Sequence, residues 1–202
     1  MESVLRLRRF LESPAPQPPT ERCGFCDAPV GAEHSHVVSL EKRELLCVCR
    51  PCYLLFMTPG AAQGKYRAVT NRYLHAPELV PSAAQWDEFR IPVGIAFFFH
   101  NSAQNRAVAL YPSPAGATEA ALPAAAWQEL VKTNPVLESM EPDVEALLVS
   151  RLPGRLDAFI VPIDACYELV GRIRRHWRGF GGGERAWSEI DGFFASLRER
   201  AT

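Results

Sequence analysis

A chain of 202 residues with 48% apolar side chains is long enough for one ordinary domain carrying a small appended module, and apolar enough for a real core. With 22 basic residues against 23 acidic ones and a pI near 6.5, no global charge draws it to nucleic acid or to an anionic membrane. The longest apolar run, "IPVGIAFFF" at residues 91–99, falls far short of the roughly 18 residues of a membrane span.

The first segment, "MESVLRLRRFLE", sets Val4, Leu5, Leu7, Phe10 and Leu11 among Arg6, Arg8 and Arg9, which predicts a short amphipathic helix docked on the body. It has neither an unbroken apolar stretch nor a small-residue cleavage site, so no signal peptide is expected and the protein is placed in the cytoplasm. Pro14, Pro16, Pro18 and Pro19 then force an extended path, making residues 1–20 a helix and linker.

Residues 21–60 carry five of the six cysteines and two of the five histidines. "HVVSL" and "ELLCV" predict two short strands joined by "EKR", a β-hairpin. Flanking it are two knuckles, Cys23-x2-Cys26 and Cys49-x2-Cys52, with 22 residues between them. Each knuckle turns two sulfurs toward one point and the hairpin brings the turns together, so four thiolates can surround one ion. In a cytoplasm that keeps thiols reduced, such clusters hold metal or do redox chemistry rather than form disulfides. Zinc is the expected occupant and iron of the rubredoxin type the alternative; "CRPCYLL", with Arg50, Pro51 and Tyr53 in place of small residues, favours zinc. Cys47 would share a strand face with Cys49 and is either an alternative ligand or a small buried apolar residue. His34 and His36 are further alternative ligands, with hairpin-surface positions the simpler expectation.

Residues 61–202 read as a mixed domain. Ser82 and Gln85 fit a capping box with Trp86 and Phe89 on the buried side. "VGIAFFFH" and "RAVALYP" predict one hairpin, "VEALLVSR" and "DAFIV" another, with the helix "PAAAWQELVK" between them. Two helices close the chain, one with Ile163, Cys166, Tyr167, Val170, Ile173 and Trp177 on its apolar stripe, the other with Trp187, Ile190, Phe193, Phe194 and Leu197. Hairpins separated and followed by helices predict an α+β fold with a largely antiparallel sheet and flanking helices, plus the N-terminal zinc-ribbon-like module. Cys166, on a helical stripe, is expected to be an inert core thiol.

Other motifs carry less. "HWRGFGGGE" follows a helix and lacks the Lys-Ser/Thr of a phosphate loop, so it is read as a helix terminator. "YPSPAGATE" is read as a rigid turn, and "ESMEPDVE" as a solvated acidic loop able to dock a basic partner. His100 has no nameable nucleophile or orienting carboxylate beside it. No catalytic constellation emerges, and the expectation is a protein that is not an enzyme.

The phrases "CGFCDAPV", "LLCVCRPCYLLF", "GKYRAV", "IPVGIAFFFHNS", "YPSPAGATE", "NPVLESMEPDVEALL", "VPIDACYELVGRIRRHW" and "WSEIDGFFASL" together resemble a family of uncharacterised bacterial proteins encoded beside the oxygen-tolerant, actinobacterial-type [NiFe] hydrogenases. The resemblance spans nearly the whole chain. It implies a partner, a [NiFe] hydrogenase subunit or maturation factor, rather than a reaction. The expected role is that of an accessory protein in assembly, maturation or scaffolding, or alternatively of a rubredoxin-like electron carrier.

Overall fold

The computed structural model describes residues 21–179 and 181–201; the helix and linker expected within residues 1–20 lie outside them. Strands β1 (Ser35–Ser39) and β2 (Glu44–Val48) form the hairpin, closed by the pair Ser39–Glu44. A third strand, β3 (Tyr66–Ala68), adds to the free edge of β1, so the ribbon sheet draws a strand from beyond residue 60. Between them, helix α1 (Arg50–Leu55) starts with Pro51 in its first turn, where a missing N–H costs nothing.

The body is a six-stranded antiparallel sheet of β4 (Leu74–His75), β5 (Ile95–Asn101), β6 (Arg106–Ser113), β7 (Gly116–Ala120), β8 (Glu145–Leu152) and β9 (Arg155–Pro162), in the order β4-β9-β8-β5-β6-β7. Successive side chains of a strand point to opposite faces, and here both faces are covered. Phe97, Leu148 and Phe159 lie side by side across β5, β8 and β9 and pack with the apolar stripes of α4 (Ile163–His176) and α5 (Glu184–Arg200). Their neighbours Phe98, Leu147 and Ile160 form the matching row on the other face, covered by Trp86, Phe89 and Leu130 from α2 (Ala83–Glu88) and α3 (Ala124–Thr133) and their flanks. Burial on both sides is why "IAFFF" is a continuous apolar run instead of an alternating one. The predicted capping box is present, with Gln85 N–H donating to Ser82 Oγ and Ser82 N–H to Gln85 Oε1.

Three expectations change. "PSPAG" is not an isolated rigid turn: only Pro114 and Ala115 turn, and the chain returns from Gly116 as edge strand β7. Pro112 fits inside β6 because β5 pairs with it only as far as Leu110, so no ladder donor is missed. Tyr167 and Trp187 are 38% and 37% exposed rather than fully on the buried stripes; Trp187 instead donates its indole N–H to the Gly181 carbonyl and its ring centroid lies 5.8 Å from that of Trp177. The glycine-rich turn serves that packing, since a Cβ on Gly182, at φ +79°, would lie 2.9 Å from the Trp177 ring.

The acidic segment is the third. Glu138 and Glu141 are exposed, but Asp143 and Glu145 are buried. Glu145 accepts from Arg72 Nε and Nη2 at 3.0 and 2.6 Å, from Thr70 Oγ1 at 3.1 Å and from the Glu141 N–H at 2.9 Å. Asp143 accepts the Ser102 N–H at 2.9 Å. The donors around Glu145 replace the water that its carboxylate gives up on burial.

The ribbon docks on the helical face of the body through Val38 and Leu45, which pack against the core that includes Val69 and Tyr73. Arg67 donates to the Pro142 carbonyl at 2.8 Å, and His36 bonds Asp164, at the start of α4, at 2.8 Å. Among the described residues no helix is long and apolar enough to cross a membrane.

Arg72→Ala leaves the Glu145 carboxylate short of its cation, so the urea midpoint of the body should fall by the equivalent of about 3 kcal/mol. Thr70→Val, which removes one neutral donor, should cost about 1 kcal/mol.

Candidate metal centre

The first knuckle is held by its own backbone: Cys23 N–H donates to the Ala28 carbonyl at 2.8 Å and Asp27 N–H to the Cys23 carbonyl at 2.9 Å. Gly24 N–H donates to the Cys47 carbonyl at 2.9 Å, which ties this knuckle to β2. The second knuckle grows out of the end of β2. Cys49 sits at the N-cap of α1 and Cys52 in its first turn, so a helical turn sets the spacing of their two sulfurs. Cys23 and Cys52, with Val30, Val37 and Val48, make up the buried core of the ribbon.

These two turns bring Cys23, Cys26, Cys49 and Cys52 together, with all four Sγ atoms within 4.8 Å of one another. Cys26 Sγ and Cys49 Sγ are 3.6 Å apart. A tetrahedron of metal–sulfur bonds of about 2.3 Å spaces its sulfurs about 3.8 Å apart, so the group has the size of a four-thiolate cage. All six cysteines of the chain are free thiols.

The electrostatics match a cation site. Burial at Cys23 opposes ionisation, but the backbone N–H groups of Cys49, Phe25 and Cys26 outweigh it and bring this thiol down to about 6. Cys26 receives the Ala28 N–H, which favours its thiolate, yet its sulfur neighbours Cys23 and Cys49 win and raise it. Cys52, against Cys49 and buried, is pushed up to about 12. One thiolate is thus supported and its neighbours resist a second charge. A divalent cation at the centre removes that conflict, because a coordinating thiol gives up its proton.

Cys47, His34 and His36 do not join this group. They form a second one, in which one ligand atom from each lies within 4.8 Å of the other two. His36 and Cys47 are direct cross-strand partners, and cross-strand partners share a face of the sheet. His34 is not a surface residue; only 9% of its side chain is exposed. Burial raises the Cys47 thiol, and the charge of Glu21 adds to the shift. Glu21 and Asp164 are the residues near these groups that sequence reasoning missed: Glu21 abuts the knuckle as an ordinary acidic residue, and Asp164 meets His36 across 128 positions of sequence. Cys166 is fully buried on α4, and burial raises its thiol well above the usual range.

The family of unknown function DUF5947 matches residues 22–201, covering the ribbon and the body together. The chain belongs to that family. No curated protein and no solved structure matches it. The match takes in both the ribbon and the body.

Cys52→Ser should lower the metal measured by elemental analysis by at least one equivalent and destabilise the ribbon, because that residue belongs both to the four-sulfur group and to the ribbon core. A thiol-labelling reagent should leave Cys166 unmodified in the folded protein and react with it only after denaturation, as mass spectrometry of the Cys166 peptide would read.

Proposed function

We propose that this chain is a non-catalytic, zinc-binding accessory protein that helps assemble, mature or scaffold a [NiFe] hydrogenase in the cytoplasm, with the ribbon as its docking element. The observation that carries the reading is where the exposed apolar side chains fall. Phe25 in the first knuckle, Leu54 and Leu55 in α1, and Met57 just beyond it are exposed by 36%, 48%, 66% and 55%. Large apolar side chains gathered on one small module mark an interaction surface more often than a solvated one. The four-thiolate group holds the segments that present them. Glu138 and Glu141 add exposed negative charge on the body, suited to steering a basic partner. The hydrogenase enters through the resemblance of the sequence phrases, and zinc through the closed four-sulfur donor set.

A second reading, a rubredoxin-like iron protein passing electrons to a hydrogenase or its maturation machinery, is favoured by the three backbone N–H groups at Cys23 and by the exposure of Cys26. N–H groups aimed at sulfur tune the potential of iron–thiolate centres. Against it, Pro51 stands two places after Cys49 and has no N–H to offer, where Phe25, two places after Cys23, donates one. Colour separates the two readings: zinc protein purified from its native host is colourless, whereas iron at these thiolates absorbs visible light.

For the accessory role, the purified protein should bind a hydrogenase subunit or maturation factor directly. The double variant Leu55→Glu/Met57→Glu should weaken that binding at least tenfold while retaining its metal, since buried apolar anchors dominate interface energies by about 2 kcal/mol or more each. Glu138→Lys/Glu141→Lys should reduce the salt dependence of association. Normal assembly and activity of the hydrogenase in a strain lacking the gene, under conditions where the gene is expressed, would overturn the proposal.

A further inference from the structure

The group His34, His36 and Cys47 has the parts of a second metal site, and its ring nitrogens are already arranged for one. His34 Nδ1 is 2.8 Å from the Gly31 carbonyl oxygen and His36 Nδ1 is 2.8 Å from Asp164 Oδ2. A carbonyl and a carboxylate only accept, so both rings hold their Nδ1 proton toward these partners and leave Nε2 as the nitrogen that a metal would take. Metal-ligating histidines are held in this way, with the distal N–H fixed by a carbonyl or a carboxylate. His34 Nε2 is buried and makes no hydrogen bond, although the His34 side chain is 91% enclosed, its exposure being 9%. A buried polar atom without a hydrogen bond is a cost the fold carries unless something else binds it.

The fourth direction is acidic. Glu21 Oε2 lies 3.4 Å from His34 Nε2 without the alignment of a hydrogen bond, and the Glu21 side chain is 61% exposed. Two imidazoles, a thiol and a carboxylate are donors for a borderline divalent cation, and the three protein atoms within 4.8 Å of one another span no more than a coordination sphere. We propose that His34, His36 and Cys47, with Glu21 as a fourth ligand, bind a second divalent transition-metal ion beside the four-thiolate centre. Binding forms bonds from two Nε2 atoms, the Cys47 sulfur and one Glu21 oxygen to the metal, and releases the Cys47 thiol proton to solvent. The site couples the two halves of the molecule, because Asp164 belongs to the body helix α4 while its histidine belongs to ribbon strand β1. It is independent of the hydrogenase reading and stands whether or not that partner is the right one.

The test uses zinc alone as probe. The full-length protein is brought to equilibrium by dialysis against chelator-buffered Zn²⁺, and bound zinc is measured by elemental analysis. The unaltered protein should hold two equivalents and the His34→Ala/His36→Ala variant one, with circular dichroism unchanged. Asp164→Asn should keep both sites but weaken the second about 10- to 100-fold, as loss of an orienting carboxylate does. In case the double variant does not fold, long-range ¹H–¹⁵N spectra of the unaltered protein give the same answer: zinc should shift the Nε2 resonances of His34 and His36 and leave Nδ1 protonated. One equivalent in the unaltered protein at saturating zinc, two in the double variant, or unmoved imidazole resonances would each overturn the proposal.

Discussion

Four sulfurs held within 4.8 Å of one another impose a charge constraint on everything built around them. As thiols they crowd; as thiolates they repel; only around a cation are both problems removed. The ribbon's own apolar core is small. Its buried core consists of three valines and two of the four clustered cysteines, too little apolar surface to offset the chain entropy of some fifty ordered residues. An ion bound by the four sulfurs, with an affinity of about 10 to 16 kcal/mol, would supply what that core lacks. The body is built on the opposite principle. Its sheet is covered on both faces, and the apolar burial there does not depend on any ligand.

The two regimes meet at a narrow seam. β3 leaves the ribbon and the chain reaches the body within a few residues, where Val69 and Tyr73 already belong to the body core. His36 and Asp164 bond across that seam, as do Arg67 and the carbonyl of Pro142. A partner seated on Phe25, Leu54, Leu55 and Met57 would touch the module that carries the four-sulfur group.

Much of this was legible in the residues, and what was not has a common cause. Hairpin spacing and period-2 or period-3.6 patterning are local, and they placed β1, β2, β5, β6, β8, β9, α4 and α5 near where they lie. The knuckle spacing likewise grouped four cysteines that the fold brings together. Short edge elements escaped: β3 has three residues and β7 begins at a glycine after two prolines, so neither carries a pattern of its own. Asp143 and Glu145 looked solvated because Arg67 and Arg72, their partners, lie more than 70 positions earlier. The grouping of His34 and His36 with Cys47 had a signal available, since the hairpin register sets His36 opposite Cys47. The buried Nε2 of His34 had none, being a property of the packed fold.

The central claim is that a metal ion, rather than apolar packing, holds the ribbon while the body stands alone. Amide hydrogen exchange read by mass spectrometry, before and after the metal is removed with a chelator under reducing conditions, tests it most directly. The account predicts that peptides within residues 21–69 lose their protection on metal removal while those of β5, β8 and β9 keep theirs. Equal protection of the ribbon with and without metal, or loss of protection across the whole chain, would contradict it.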